Sequence, residues 1–139
     1  MLDVNVLVSG MLWGREPGRV LDAVRSGEIR LCLSELLLDQ LTLVLTRPKF
    51  SPRLAAQGAT AEVLVRSMRP WVEVAIPAPI APPPGLRDFD DLAVLASAVA
   101  ARADVIVTGD SHLLTLGAFQ HIPIIDVREV LQRLGAANK

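Results

Sequence analysis

The sequence predicts an α/β fold in which helices flank a mostly parallel central sheet. Short apolar segments rich in β-branched residues alternate with segments whose apolar residues recur at helical spacing. Serine, threonine or aspartate stands before several helical segments, where its side chain can cap the first turn. The 139 residues, 51% of them hydrophobic, suffice for one core and not comfortably for two. We therefore expect a single domain over residues 1–139.

The first half of the chain begins with an apolar segment and continues with alternating helices and strands. Residues 2–8 are apolar around Asp3 and Asn5, and this pattern alone is typical of a strand. The next segments are predicted, in order, as a helix over 17–26, a strand over 29–33, a helix over 34–45 capped by Ser34, a helix over 60–68 capped by Thr60, and a strand over 71–76.

The second half begins with a proline-rich connection. Residues 77–84 hold five of the ten prolines, and proline cannot donate to a helix or a sheet ladder, so we expect an extended surface segment. The rest is predicted as a helix from Asp88 or Asp90 to about 102, a strand over 104–107, a helical turn over 111–116, a strand over 122–127, a helix to 134 capped by Asp126, and a frayed tail from Gly135.

Composition excludes several classes of protein. The net charge of −1 excludes a strongly basic nucleic-acid binder, and the single Cys32 excludes an intramolecular disulfide and a multi-cysteine zinc site. The longest apolar run, residues 92–101 with Ser97 as an interruption, is far shorter than the roughly 20 residues of a membrane span. No signal-peptide pattern opens the chain, so we expect a cytoplasmic protein. His112 and His121 lack metal-ligand spacing, and we expect both to be solvated.

Aspartates stand where predicted strands end and a helix begins. Asp110 follows a strand, Asp91 opens a helix, and Asp3 lies in an apolar segment. Each one alone can be an ordinary cap or a solvated charge. Three of them at the carboxyl edge of one parallel sheet would form an anionic pocket that suits Mg²⁺ or Mn²⁺. Such carboxylate-bound ions are widely used to hydrolyse phosphodiesters.

Four blocks of sequence carry a resemblance to a known family. They are, in order, residues 3–10 (DVNVLVSG), residues 45–50 (LTRPKF), residues 87–104 with RDFDD at their start, and residues 107–114 (VTGDSHLL). In this order they resemble PIN domains, and specifically the VapC-like toxins of toxin–antitoxin systems. The blocks cover nearly the whole chain.

The resemblance implies a three-layer α/β/α PIN-like fold and an endoribonuclease that depends on Mg²⁺ or Mn²⁺. It further implies a homodimer that a cognate antitoxin protein neutralises, and a helix rather than a strand after Asp3. It assigns catalysis and metal binding to Asp3, Asp91 and Asp110, and supporting positions to Asn5, Gln40, Asp88 and Thr108.

The sequence departs from the family pattern at four places. Gln40 stands where the family has a glutamate, so we expect weaker metal binding, especially of a second ion. Val4 replaces a threonine, and His112 stands where a further aspartate is common. The family's central strand also extends upstream of its first aspartate, so we expect that the chain starts late.

Cations and exposed apolar residues suggest the contacts with partners. Arg47, Lys49 and Arg53 are candidates for RNA phosphates, although they can also be ordinary solvated charges. Trp13 can stack on a base or fill an interface. A dimer or antitoxin surface, or else ordinary core packing, is expected from Leu36, Leu38, Leu43 and the helix over 60–68.

Two other functions stay open. Because Gln40 carries no charge, the chain can be an RNA- or antitoxin-binding module with little or no catalysis. An α/β phosphatase or receiver-type domain with an aspartate nucleophile is the third hypothesis, and the poorly placed lysines, Lys49 and Lys139, disfavour it.

Overall fold

The computed structural model of the protein describes residues 1–86 and 89–137. The helices are α1 (Val4–Leu12), α2 (Arg15–Arg25), α3 (Glu35–Leu45), α4 (Ser51–Ala56), α5 (Ala61–Met68), α6 (Phe89–Ala101), α7 (Ser111–Leu116) and α8 (Val127–Ala137). The strands are β1 (Leu31–Ser34), β2 (Val72–Ala75), β3 (Ile106–Val107), β4 (Ala118–Phe119) and β5 (Ile122–Ile125). Short 3₁₀ helices cover Pro48–Phe50 and Arg69–Trp71.

The strands form two short sheets whose ladders are mostly parallel. β1 pairs with β2 in parallel, and β3 pairs in parallel with β5, which takes β4 as an antiparallel edge. Residues 1–3 run beside β3, where Leu2 forms a parallel bridge to Val107 and the Asp3 N–H donates to the Val107 carbonyl at 3.0 Å. The predicted α/β class is therefore confirmed.

Most predicted elements are confirmed to within about two residues. Ser34 and Thr60 cap α3 and α5 by accepting hydrogen bonds from the N–H groups of Leu37 and Val63, each at 3.2 Å. Residues 76–83 contain no helix or strand, as the prolines predict. No helix in the described part of the chain combines the length and apolar character of a membrane span.

Three predictions from pattern alone were wrong. The segment after Asp3 is helix α1, because the Asp3 side chain accepts from the Val6 N–H and so caps a first turn. Residues 135–137 are helical rather than frayed, since α8 continues to Ala137. Leu38 is buried at 1% exposure and belongs to the core rather than to a partner surface.

The core is one cluster of apolar side chains from helices and strands along the chain, including Leu7, Leu33, Leu95, Ile106 and Leu113. Gly10 lets α1 and α2 approach closely. A Cβ atom there would stand 2.7 Å from Leu21 Cδ1 and 2.9 Å from the Pro17 carbonyl oxygen, which is too close for any real side chain. This contact fixes the helix that begins after Asp3.

Candidate metal centre

Parallel pairing brings Asp3 and Asp110 to the same edge of the sheet. Asp3 follows the bridge at Leu2, and Asp110 follows β3 after Thr108 and Gly109. Each aspartate caps the helix that begins just after it, α1 or α7. The strand–cap–helix order thus positions two carboxylates where ligand sites of parallel sheets lie.

The Asp3 carboxylate is buried and held on both oxygens. Its Oδ1 accepts from the Val6 N–H at 2.9 Å, and its Oδ2 accepts from the Thr108 hydroxyl. Burial raises the pKa of the Asp3 carboxyl above its usual value, the Thr108 hydroxyl and the backbone N–H groups of Val6 and Asn5 oppose the rise, and the Asp110 carboxylate adds to it. A charged Asp3 therefore carries a free-energy cost that a cation would relieve.

Thr108 connects the two aspartates. Its buried hydroxyl donates to Asp3 and accepts from the Asp110 N–H at 3.0 Å. Because both bonds are made at once, the hydroxyl has one orientation, and Thr108 fixes the orientation of Asp3 and the backbone position of Asp110 together.

Asp91 reaches the same place from α6. Its side chain is buried at 7% exposure, in the first turn of that helix. A cavity of about 380 Å³ is lined by Asp3, Asn5, Gln40, Arg47, Asp90, Asp91 and Asp110, together with apolar residues of α1, α3 and α6. The three aspartates proposed from the sequence therefore share one cavity, which we call the acidic pocket.

The tightest group of potential metal ligands joins two residues of the acidic pocket, Asp91 and Asp110, to His112 on the first turn of α7. One potential ligand atom from each lies within 4.8 Å of the other two. Asp3 does not join this group, and no other such trio of histidine, cysteine or acidic residues occurs in residues 1–86 and 89–137. Asp3 lies beside the trio rather than within it, linked to Asp110 through Thr108.

Gln40 and Asp90 meet at the pocket. The Gln40 amide nitrogen donates to Asp90 Oδ1 at 2.8 Å. The sequence offered Asp90 only as a possible start of a helix, and the structure brings its exposed carboxylate into contact with α3. Only the three-dimensional placement of α3 against α6 creates this pair.

The remaining candidates from the sequence fall in different places. The Asn5 side chain is exposed, and none of the hydrogen bonds within the described ranges joins it to one of the acids. Arg47 lines the acidic pocket. Lys49 and Arg53 lie further along the chain, over the rings of Phe50 and Trp13, and Asp88 lies outside the described residues.

Sequence reasoning did not place His112 among the metal-binding candidates. The residue was expected to be solvated, and its side chain is indeed 84% exposed, but it stands 3.7 Å from Asp110 Oδ1. The signal was its position two residues after an N-cap aspartate, which puts both side chains at the first turn of α7.

The comparisons with known proteins identify the family. A family model described as the PIN domain matches residues 1–112. The chain belongs to the PIN domain family. No curated protein and no solved structure gives a match. PIN domains have a nuclease-type fold and typically depend on Mg²⁺ or Mn²⁺, and the α/β structure with its parallel strands agrees with this family.

The donor set of this PIN domain fits a divalent ion. Carboxylate oxygens are the ligands that hard cations prefer, and Asp91 and Asp110 offer them from two different elements. An imidazole nitrogen adds a donor that suits first-row transition ions. Asp110 Oδ1 accepts hydrogen bonds from the N–H groups of His112 and Leu113. The His112 imidazole contacts this same oxygen.

Proposed function

We propose that the chain is a metal-dependent endoribonuclease and the toxin component of a type II toxin–antitoxin system. In this proposal it hydrolyses RNA phosphodiester bonds with Mg²⁺ or Mn²⁺ held by carboxylates. The observation that supports it most is the meeting of Asp3, Asp91 and Asp110 in one pocket of a PIN domain. A pocket with three acidic side chains repels a phosphate unless a cation occupies it.

In this proposal the residues of the acidic pocket have different roles. Asp91 and Asp110 would hold the ion, and Asp3 would contribute negative charge from a position that Thr108 fixes. When bound, a divalent ion supplies charge neutralisation at a phosphate oxygen and a more acidic water molecule. Arg47 at the pocket would bind a neighbouring phosphate and hold the scissile bond over the acids.

RNA beyond the pocket would follow the cations after α3. Arg53 lies 5.3 Å from the Trp13 ring centroid, Lys49 lies 5.0 Å from the Phe50 ring centroid, and the two rings meet edge to face at 5.7 Å. Trp13 directly follows α1, whose nine residues span about 14 Å from the Asp3 end. That length corresponds to roughly four nucleotides at stacked spacing.

A partner surface is proposed on α3 and α5. Leu36, Leu43 and Val63 are 43%, 68% and 51% exposed, which is unusual for side chains of this size on neighbouring helices. We assign this face to a homodimer or to the antitoxin. A cytoplasmic location would agree with a toxin that acts on RNA.

Gln40 favours a second candidate function. The neutral Gln40 amide stands where the family has a charged glutamate, and it donates a hydrogen bond to Asp90. The negative charge available to a second ion is therefore lower. The alternative is a catalytically weakened module that binds RNA or an antitoxin without cleaving.

A metal-titrated cleavage assay tests the proposal. Purified protein is freed of metal with chelator, supplied with Mg²⁺ or Mn²⁺, and incubated with labelled RNA. We expect cleavage only with metal, and a loss of at least about a hundredfold in Asp3→Asn, Asp91→Asn and Asp110→Asn. Asp39→Asn, on the exposed side of α3, is the matched control.

The same assay separates the two functions. Activity that survives all three substitutions points to a contaminating nuclease and contradicts the proposal. RNA binding without turnover at any metal concentration favours the binding module.

A further inference from the structure

His112 occupies a position from which its imidazole can reach the acidic pocket. It lies in the first turn of α7, and its backbone N–H donates to Asp110 Oδ1 at 2.7 Å. The next residue, Leu113, is fully buried and also donates its N–H to that oxygen at 3.4 Å. Leu113 therefore anchors the helix, and this anchoring holds the His112 backbone beside Asp110.

Within the trio, the distance between His112 and Asp110 matches that of shared ligation. Two atoms bound to one ion at about 2.1 Å lie roughly 3.0 to 4.2 Å apart. His112 Nδ1 lies 3.7 Å from Asp110 Oδ1, and one potential ligand atom of Asp91 lies within 4.8 Å of both residues' atoms. The contact is too long for a good hydrogen bond, so hydrogen bonding between the two side chains does not account for it.

We propose that His112 ligates the ion together with Asp91 and Asp110, and that its nitrogen makes this site select Mn²⁺ or another first-row transition ion over Mg²⁺. Mg²⁺ is a hard cation that favours oxygen, whereas imidazole suits first-row transition ions. Asp91 is buried and Asp110 is half-buried, while His112 is exposed. The nitrogen therefore approaches from the solvent side of a pocket whose inner wall is carboxylate.

This inference rests on the proposed metal centre, and it concerns which ion the centre takes. The chain offers a matched control, because it has two histidines. His121 is also exposed but belongs to no metal-capable group within the described residues. His121 has a φ of 69°, so asparagine, which tolerates that conformation, is the suitable replacement there.

The test measures ion binding and does not depend on activity. Mn²⁺ and Mg²⁺ affinities are measured by calorimetry on metal-free wild type, His112→Asn, His112→Asp and His121→Asn. Pulsed electron paramagnetic resonance of the Mn²⁺ complex then detects an imidazole nitrogen bound to the ion. Circular dichroism confirms that each variant is folded.

We expect a nitrogen coupling in wild type and in His121→Asn that is absent from both His112 variants. His112→Asn should lower Mn²⁺ affinity by about tenfold or more and change Mg²⁺ affinity much less. His112→Asp should bind Mg²⁺ more tightly than wild type. Absence of the nitrogen coupling in wild type, or an unchanged Mn²⁺-to-Mg²⁺ ratio in the His112 variants, overturns the proposal.

Parallel RNA cleavage assays keep the two proposals distinguishable. A wild-type protein that shows the nitrogen coupling but cuts no RNA disproves the nuclease function and leaves the ligand assignment standing. Metal-dependent RNA cleavage without the nitrogen coupling supports the nuclease function and disproves the assignment of His112 as a ligand.

Discussion

Gln40 and Asp90 are joined across the acidic pocket by a hydrogen bond of 2.8 Å, in which the Gln40 amide nitrogen donates to Asp90 Oδ1. The bond connects α3 to the first turn of α6, the turn that also carries Asp91. The bond therefore couples the position of Asp91, a candidate metal ligand, to the uncharged side chain of Gln40.

Replacing Gln40 with glutamate tests what this bond does. Gln40→Glu removes the donor and sets two carboxylates side by side, so the metal-free protein should lose about 0.5–1.5 kcal/mol of unfolding free energy. The added charge should raise Mn²⁺ affinity by roughly thirtyfold, since a unit charge about 4 Å from a divalent ion in water contributes about 2 kcal/mol. Urea denaturation and calorimetry measure the two effects.

Gln132→Glu, an exposed position on α8, adds the same charge away from the pocket and should change neither quantity. Weaker Mn²⁺ binding in Gln40→Glu than in wild type would show that the amide, rather than an acid, is what the centre requires.

The raised pKa of Asp3 predicts how stability depends on pH. In the folded protein the pKa of the Asp3 carboxyl lies above its unfolded value of about 3.9. The folded state therefore binds this proton more tightly than the unfolded state does. In chelator, the unfolding free energy should fall as pH rises from about 4 through the raised pKa. Asp3→Asn should flatten this profile and be more stable than wild type at neutral pH.

Added metal should offset this cost in wild type and in Asp39→Asn, whereas Asp3→Asn carries no such cost to offset. At an ion concentration one hundred times the dissociation constant, the gain is about 2.7 kcal/mol. Asp39→Asn serves as the exposed control and should keep the wild-type profile. A steeper fall in Asp3→Asn than in wild type would contradict this account of the buried charge.

Local chemistry made much of the fold predictable. Ser34, Thr60 and Asp110 all stand before helices and cap them, and hydrophobic spacing located α3 and α5. The segment after Asp3 shows the limit of periodicity, because Val6, Leu7 and Val8 are all buried. A helix enclosed by its neighbours shows no alternation, and only the cap at Asp3 distinguishes it from a strand.

The site was less predictable than the fold, for a geometric reason. Asp3, Asp91 and Asp110 could be nominated because strand ends and helix starts are visible in sequence. The grouping of His112 with Asp91 and the contact of Asp90 with Gln40 depend on how α7, α6 and α3 are placed in three dimensions. No spacing rule relates Gln40 to a partner fifty residues away.

Thr108 should be a positioning residue whose removal weakens metal binding. Thr108→Val keeps the shape but loses the bond to Asp3 and the acceptor for the Asp110 N–H. We expect a loss of about 1–3 kcal/mol in unfolding free energy and about 10–100-fold in Mn²⁺ affinity. Thr42→Val, which loses only a bond to the Leu38 carbonyl, should leave Mn²⁺ affinity unchanged. Equal affinities in the two variants would refute the role.

Two glycines of neighbouring helices should respond to alanine in opposite directions. Gly10→Ala forces a Cβ against the Pro17 carbonyl and should cost about 1–3 kcal/mol. At Gly18 the nearest atom is 3.6 Å away, so Gly18→Ala should stabilise α2 by about 0.5–1 kcal/mol. Thermal unfolding measures both, and a stabilised Gly10→Ala would mean that α1 and α2 are not tightly packed.

The proposed RNA path makes Trp13 and Trp71 a matched pair. They are 41% and 44% exposed and are the two tryptophans of the chain. Trp13 packs on Phe50 beneath Arg53, whereas no cation lies over Trp71 within the described residues. A base stacked on Trp13 should quench its fluorescence, and quenching should persist in Trp71→Ala and vanish in Trp13→Ala.

Binding of a short oligouridine in chelator separates this contact from catalysis. Loss of one stacked base is worth about 1–3 kcal/mol, so Trp13→Ala should weaken binding about 5- to 150-fold while Trp71→Ala binds like wild type. Replacing Arg47, Lys49 or Arg53 with alanine should reduce the salt dependence of log K by about 0.7 for each phosphate that the variant no longer neutralises. If Trp71→Ala weakens binding and Trp13→Ala does not, the RNA leaves the acidic pocket by another route, since stacking energy follows the ring that touches the base.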